Sequence, residues 1–191
     1  HQSEPYPILS RRLEWIKALK KIVLDNQNTF AKKISQDFGN RSHKETYLAE
    51  VLPVVSAAKH AIKNTKSWMK EKKVRTSPVF WFGKSLVFPQ PLGVVAVISP
   101  WNYPLQLSLI PAINALSAGN RVLIKPSEKT PEFSNFLKKC ISESFDSSVL
   151  QVIEGDHKIA ESVSTCSEIN HLFFTGSIKV GKLIAKSAAK N

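Results

Sequence analysis

Short groups of polar residues directly follow several apolar runs, and their side chains could do chemistry. The run Val94–Ile98 ends in Ser99-Pro100-Trp101-Asn102-Tyr103-Pro104, where two prolines restrict the backbone on either side of Asn102. An amide on so stiff a bend could donate a hydrogen bond to an oxygen that becomes negative during a reaction. The residue types alone equally allow Asn102 to cap a helix whose first turn contains Pro104.

A second group, Lys125-Pro126-Ser127-Glu128, follows the run Arg121–Ile124. A lysine at the end of a strand can donate to hydroxyl or phosphate oxygens, and a carboxylate can accept from ribose hydroxyls. The spacing alone slightly favours a simpler interpretation, in which Lys125 is a surface residue and Glu128 lies in the first turn of a helix. Both interpretations stay open at this point.

The remaining groups contain glycine: Gly155 closes one apolar run, and Gly176-Ser177 closes another. Free amides at the start of a helix after Gly176 could bind an anion. Residues 176–182 also fit the spacing G-x-x-x-x-G-K of a phosphate-binding loop, but Leu183 stands where that motif needs Ser or Thr for magnesium. A nucleoside-triphosphatase is therefore disfavoured, and the dinucleotide fingerprint G-x-G-x-x-G is absent.

The elements around these groups change character along the chain. Helical spacing predicts a helix over Leu9–Val23, a second helix carrying Phe30 and Ile34, and a third stretch over residues 44–70 with a break at Pro53. Residues Val79–Pro91 are rich in aromatic and β-branched residues split by Gly83, which predicts a hairpin.

After Gly93, apolar strands alternate with amphipathic helices. The predicted strands are Val94–Ser99, Arg121–Lys125, Val149–Glu154 and His171–Phe174, and the predicted helices are Leu105–Ala118, Glu132–Phe145, His157–Val163 and Ile178–Ala189. This order predicts an α/β fold, a Rossmann-like, doubly wound parallel sheet preceded by an N-terminal helical region and a short bridging hairpin. Ligands of such sheets bind beyond the carboxyl ends of the strands, where the polar groups lie.

Composition excludes some classes of protein. The 191 residues are 42% apolar and 22% charged, which is ordinary for a globular protein. We expect no membrane span, no secretory signal and a cytoplasmic location. The two cysteines and five scattered histidines have no ligand-like spacing, so no metal site is expected.

The charge is uneven, because residues 1–90 contain 17 Lys/Arg against 7 Asp/Glu. This asymmetry leaves open a basic module that binds nucleic acid or an anionic surface. Solvated helix faces explain the lysines more simply, and no nucleic-acid motif accompanies them. We therefore expect no nucleic acid and no membrane as a partner.

The ordered motifs PLGVVAVISPWNYPLQL, NRVLIKPSEKTP and INHLFFTGSIKVGKLIAKSAAKN closely resemble the cofactor-domain motifs of the aldehyde dehydrogenase superfamily. The Pro-Trp-Asn-Tyr-Pro form and the run ETYLAEVLPVVSAAKHAIKNTKSWM are most similar to the branch of coniferyl-aldehyde and class 3 fatty or aromatic aldehyde dehydrogenases. The resemblance covers nearly the whole chain. It implies oxidation of an aldehyde to a carboxylic acid with NAD, or NADP, by thiolate attack, hydride transfer and thioester hydrolysis.

By this resemblance Asn102 is the donor to the oxyanion, Lys125 and Glu128 bind the adenosine ribose, Ser177 contacts the pyrophosphate and Val180 lies against the adenine. A carboxylate at Glu128 should favour NAD over NADP. The full set of cofactor contacts that the resemblance implies is Ile98, Ser99, Trp101, Lys125, Ser127, Glu128, Gly155, Gly176, Ser177 and Val180.

The resemblance also predicts an organisation. Residues 1–78 form a helical region, 79–90 a bridging hairpin used for oligomerisation in a homodimer, and 91–191 an incomplete cofactor domain. The family's general-base glutamate and nucleophilic cysteine come later than Asn191, so we expect these 191 residues alone to be inactive. Cys140 shares a helix face with Phe133 and Leu137 and is expected in the core, and Cys166 matches no family position.

Overall fold

A computed structural model describes residues 4–190, so His1, Gln2, Ser3 and Asn191 lie outside the described residues. The first part of the chain is helical, as its apolar spacing predicts. Its elements are α1 (Leu9–Asp25), α2 (Gln27–Asp37), α3 (His43–Thr46), a π-helical turn (Tyr47–Val51) and α4 (Leu52–Trp68).

The break predicted at Pro53 is wrong, because the helix is continuous from α3 to α4 and only widens. Pro53 lies in the first turn of α4 and has no amide hydrogen to donate to the preceding turn. The π-helical turn absorbs this irregularity without ending the helix. It also brings Glu50, a charged residue, to full burial.

A hairpin is present, but no strand forms at Val79–Phe82, where the sequence predicts the first one. Strand β1 (Lys72–Val74) begins before the predicted segment and pairs antiparallel with β2 (Ser85–Val87). Residues Pro78–Phe80 between them form a 3₁₀ turn, because Pro78 fixes φ at its start and the Phe80 amide donates to the Ser77 carbonyl at 2.8 Å. The aromatic run therefore lies in the connection rather than in a strand.

The second part alternates strands and helices as predicted, with ends that differ by a few residues. Its elements are β3 (Val94–Ile98), α5 (Pro104–Ser117), β4 (Arg121–Lys125), α6 (Pro131–Ser144), β5 (Leu150–Val152), α7 (His157–Ser164), β6 (His171–Phe174) and α8 (Ile178–Ala188). The strands pair in parallel in the order β5-β4-β3-β6. This is the Rossmann-like α/β arrangement expected from the sequence.

Both faces of the central strands β3 and β4 are covered, which explains why the runs Val94–Ile98 and Val122–Ile124 are continuously apolar. Alternate residues such as Val95 and Val97 pack with α1, α2, α4, α5 and α6 in the main core. The residues between them, Ala96 and Ile98, face a smaller cluster with Val163 of α7 and Ile184 of α8.

Within residues 4–190 no helix has the length and apolar character needed to cross a bilayer. The same part of the chain contains no group of three or more His, Cys, Asp or Glu side chains placed to hold a metal ion.

Candidate functional site

The polar groups follow the carboxyl ends of the strands. Because all strands of the sheet are parallel, these groups lie along the same edge of the sheet. The amide of Ser99 donates to the Lys125 carbonyl at 3.1 Å, and the amide of Thr175 donates to the Ile98 carbonyl at 3.1 Å. The loops after β3, β4 and β6 therefore start side by side. This edge is where ligands of open α/β sheets bind.

Asn102 lies exposed on the bend between β3 and α5. The N-cap of α5 is Tyr103, and no side chain of the capping residue bonds to the helix, so the capping interpretation of Asn102 is wrong. The first amides of α5 instead donate to a carboxylate from another element, since Leu105 and Gln106 approach Glu50 Oε2 at 2.7 and 3.3 Å. The carboxylate of Glu50 thus takes the role that the sequence left open for Asn102.

The main chain of Asn102 is held by a residue that sequence reasoning missed. Arg41 Nη1 donates to the Asn102 carbonyl oxygen at 2.7 Å. The same guanidinium group lies 3.2 Å from Glu50 Oε1 and is stacked on the rings of Phe38 and Tyr103, with 4.9 and 4.7 Å to the ring centroids. Arg41 and Glu50 are both buried.

Burial raises the pKa of Glu50 to about 7, although the charge of Arg41 and the two amides of α5 act to lower it. One sequence signal could have identified Glu50. It is a carboxylate four residues before Val54, on the apolar face of the helix, and a carboxylate there requires a partner. No comparable signal marks Arg41, because its contacts with Asn102 and Tyr103 join residues that are distant in sequence.

Lys125 is buried to 3% exposure at the end of β4, and its Nζ donates to Glu128 Oε2 at 3.1 Å. The carboxylate of Glu128 is half exposed. Partial burial acts to raise the pKa of Glu128, but its own backbone amide and the Lys125 ammonium outweigh this effect and lower it. Glu128 is therefore a charged, accessible acceptor at neutral pH, and the interpretation of Lys125 as a surface residue is wrong.

Ser127, between them, is buried and shapes the turn. Its Oγ accepts from the Lys129 amide at 3.2 Å, and its carbonyl accepts from the hydroxyls of Thr130 and Ser134 at 3.3 Å. These bonds fix the loop that carries Lys125 and Glu128.

Ile98 and Ser99 end β3 and are buried. The Ser99 hydroxyl is 2.6 Å from that of Ser108 in α5, so the side chain is committed to the interior and the main chain is what remains for a ligand. Trp101 is about half exposed (48%), and its ring centroid lies 5.8 Å from that of Phe38.

The glycine-containing loops complete this edge. Gly155 has φ of +150°, and a Cβ there would lie 2.3 Å from Ile159 Cγ1, so the position requires glycine. Gly176 precedes Ser177, whose Oγ caps α8 by accepting from the Val180 amide at 3.4 Å. Val180 is exposed on the first turn of α8.

Comparison with known proteins agrees with this geometry. Residues 8–191 match the family model of the aldehyde dehydrogenase family. The chain belongs to the aldehyde dehydrogenase family.

Relatives within the family are similar along nearly the whole chain. A probable coniferyl aldehyde dehydrogenase of Pseudomonas aeruginosa is 39% identical over 99% of this chain and 40% of its own length. A 4,4'-diaponeurosporen-aldehyde dehydrogenase of Staphylococcus aureus is 36% identical over 96% of this chain and 39% of its own length. The solved structure of the substrate-bound state of Staphylococcus aureus AldH superposes with a TM-score of 0.92 at 34% identity, over 96% of this chain and 40% of that chain. The chain thus spans about 40% of the length of such relatives.

The chain's own residues fit a nicotinamide dinucleotide, the cofactor class used in the family. Lys125 has its ammonium beside a loop fixed by Ser127, and Glu128 is an accessible acceptor next to it. The lack of a side chain at Gly155 and Gly176 accommodates the side chains of Ile159 and Phe174, which pack against these two loops. Family membership also favours the dehydrogenase interpretation over the nucleic-acid one.

Both cysteines of the chain lie away from Asn102. Cys140 is in the main core, as predicted, and burial raises the pKa of its thiol, which disfavours a thiolate. Cys166 precedes β6 and so lies at the amino end of the sheet, opposite the edge that carries Asn102. Neither thiol is placed to attack a substrate beside Asn102.

Proposed function

We propose that this chain is the N-terminal, cofactor-binding portion of an NAD-dependent aldehyde dehydrogenase that oxidises an aldehyde to the carboxylic acid. The observation that carries the proposal is the placement of exposed Asn102 at the same sheet edge as the buried Lys125 and the accessible Glu128. The substrate class is an aromatic aldehyde such as coniferyl aldehyde, or a medium- or long-chain aliphatic aldehyde. The similarity to a probable coniferyl aldehyde dehydrogenase supports this choice.

In this proposal Lys125 and Glu128 hold the adenosine ribose, and the amides after Gly176 and Ser177 receive the pyrophosphate. Val180 covers the adenine, and the main chain of Ile98, Ser99 and Trp101 borders the cleft. Ser127 and Gly155 shape the loops on either side. Bound NAD supplies a hydride acceptor, and NADP would serve the same purpose with weaker binding next to Glu128.

The side-chain amide of Asn102 donates to the aldehyde oxygen as that oxygen becomes negative. One such donor is worth roughly 3–4 kcal/mol of the barrier. The thiolate that attacks the aldehyde is not supplied by Cys140 or Cys166, so we propose that the 191 residues alone are inactive. Steady NADH production by a pure sample of these residues with hexanal would contradict that part of the proposal.

The proposal includes a homodimer and a cytoplasmic location. The exposed aromatic run Val79–Phe82 supports the first, since Trp81 and Phe82 are 81% and 83% exposed. The free state of both cysteines is consistent with the second.

The experiment that tests the proposal is NAD-dependent oxidation of coniferyl aldehyde and hexanal by the protein translated from the complete open reading frame. Asn102→Ala should lower kcat by about 10²–10³-fold, because it removes one oxyanion donor. The matched control is Asn135→Ala, whose exposed side chain only donates to the Pro131 carbonyl in α6. Absence of NAD-dependent oxidation in the unaltered protein, or an equal effect of both substitutions, would overturn the proposal.

A further inference from the structure

Arg41 makes an unusual set of contacts for a buried residue. It lies outside the strand-end loops that are proposed to bind the cofactor. Its guanidinium lies over the ring of Phe38 and over that of Tyr103, and Nη1 donates to the carbonyl of Asn102. A cleft of about 400 Å³ opens beside it and is bordered by both Asn102 and Tyr103. Arg41 therefore touches the residues on either side of the peptide bond that follows Asn102.

Glu50 contacts the same bend at the point where α5 begins. Its Oε2 accepts from the first amides of α5, at Leu105 and Gln106, while its Oε1 lies 3.2 Å from Arg41 Nη1. Glu50 is on the π-helical turn, an irregularity that is often found at functional sites. Glu45 also approaches the guanidinium, with 3.2 Å between its Oε1 and Nη2.

The prolines of the bend do not by themselves fix Asn102. Pro100 and Pro104 set their own φ angles and restrict the residue before each of them, which leaves the torsions of Asn102 free. The direction of the Asn102 carbonyl is set by its ψ angle, and Arg41 fixes that direction with a charge-assisted hydrogen bond. Because the peptide plane after Asn102 is held, the ψ angle of Asn102 is restricted, and with it the direction of the Cα–Cβ bond that carries the side-chain amide.

We propose that Arg41, anchored by Glu50, is the positioning residue that aims the Asn102 amide at the aldehyde oxygen. The inference rests on the proposed function of Asn102. It adds Arg41 and Glu50, which lie outside the loops proposed to bind the cofactor, to that site. Arginine suits the task better than lysine, because its planar group stacks on two rings while it donates from its edge. Arg41 acts through Asn102 and does not itself touch the substrate.

The test is a double-mutant cycle in the protein translated from the complete open reading frame. Single-turnover NADH formation with excess enzyme is measured for the unaltered protein, Arg41→Met, Asn102→Ala and the double variant. Arg41→Met should lower the rate by roughly 10–100-fold, because small misplacements of catalytic groups have effects of this size. In the Asn102→Ala background the same substitution should change the rate by less than about 2-fold, since residues that act through one another are not additive.

The NAD dissociation constant separates positioning from general damage, and it should stay within about 2-fold in Arg41→Met. Arg11→Met, at an exposed arginine of α1, is the matched control and should leave the rate unchanged. If Arg41→Met does not fold, Arg41→Lys enters the same cycle, because it keeps the positive charge beside Glu50 and loses the stacking.

An Arg41 effect of equal size with and without Asn102 would overturn the inference, as would a parallel loss of NAD affinity. Inactivity of the unaltered protein would instead refute the proposed function, so the two failures are distinguishable.

Discussion

At the scale of single residues, the candidate site depends on charged and amide groups that neighbouring residues keep in place. The strand order identified Asn102, Lys125 and Glu128 as candidates, because each follows an apolar strand and parallel strands end at one edge, but their roles came from the resemblance to the family. The sequence did not predict Arg41 and Glu50. Arg41 bonds to Asn102 and Glu50 bonds to Leu105, which lie 61 and 55 residues away along the chain. Such pairs become visible only when the helical region is packed on the sheet.

The buried carboxylate of Glu50 predicts a specific dependence of stability on pH. Its pKa in the folded chain is raised to about 7 from an ordinary 4.5, so protonation favours folding. This contribution is fully present below about pH 4.5 and is lost as the pH rises to 7. Glu50→Gln has no proton to lose, and its Tm relative to the unaltered protein should therefore increase between pH 5 and pH 8.

Melting curves at the two pH values check this expectation, with Glu161→Gln, at an exposed position of α7, as the control. A Tm difference for Glu50→Gln that does not change with pH would contradict it.

Glu128 predicts the choice between NAD and NADP. Its accessible carboxylate, with a lowered pKa, repels a 2′-phosphate, although the nearby Lys125 offsets part of the repulsion. Glu128→Gln should improve NADP affinity relative to NAD by about 10-fold, which corresponds to roughly 1.4 kcal/mol. Titration calorimetry with both cofactors measures the ratio, and Glu143→Gln, exposed near the end of α6, should not change it. An unchanged ratio in Glu128→Gln would contradict the assigned role.

At the scale of elements, the apolar periodicity was sufficient to predict the helices and the parallel sheet, because burial on one or both faces dictates it. The periodicity was insufficient for the hairpin of β1 and β2. Strand β1 has no buried residue, and its sequence Lys-Lys-Val carries no apolar alternation. The π-helical turn was also missed, since Pro53 is compatible with either a broken or a widened helix.

The loop between β5 and α7 predicts a strong requirement for glycine. Gly155→Ala combines a disfavoured φ of +150° with a Cβ 2.3 Å from Ile159, whereas Gly39→Ala meets only a φ of +74° in open space. Gly155→Ala should therefore reduce the free energy of unfolding by several kcal/mol, and Gly39→Ala by about 1 kcal/mol. Chemical denaturation of the two variants provides the comparison. Equal losses would show that the contact with Ile159 relaxes freely.

At the scale of the whole molecule, the chain leaves several large apolar side chains exposed within residues 4–190, and two groups of them lie beside exposed strands. One is the run Val79–Phe82, and the other lies on α8, where Ile178 and Leu183 are exposed next to the edge strand β6. Exposed edges and apolar patches of this kind promote association. The 191-residue chain should therefore self-associate, with a sedimentation coefficient that increases with concentration.

Replacing Trp81 and Phe82 by serine should reduce this association, because these are the most exposed apolar side chains in the connection between β1 and β2. A monomer with a sharp melt that does not depend on concentration would contradict the expectation for the unaltered chain.

The most direct test is titration of NAD into the protein from the complete open reading frame, because the carboxyl edge of the sheet is the proposed dinucleotide site. The unaltered protein should bind NAD. Lys125→Met should weaken binding by about 10-fold or more, since one buried charged hydrogen bond is worth roughly 1.5–3 kcal/mol. Lys129→Met, at an exposed lysine in the same loop, should leave the dissociation constant within about 2-fold. No NAD binding, or the same loss in both variants, would contradict the central claim.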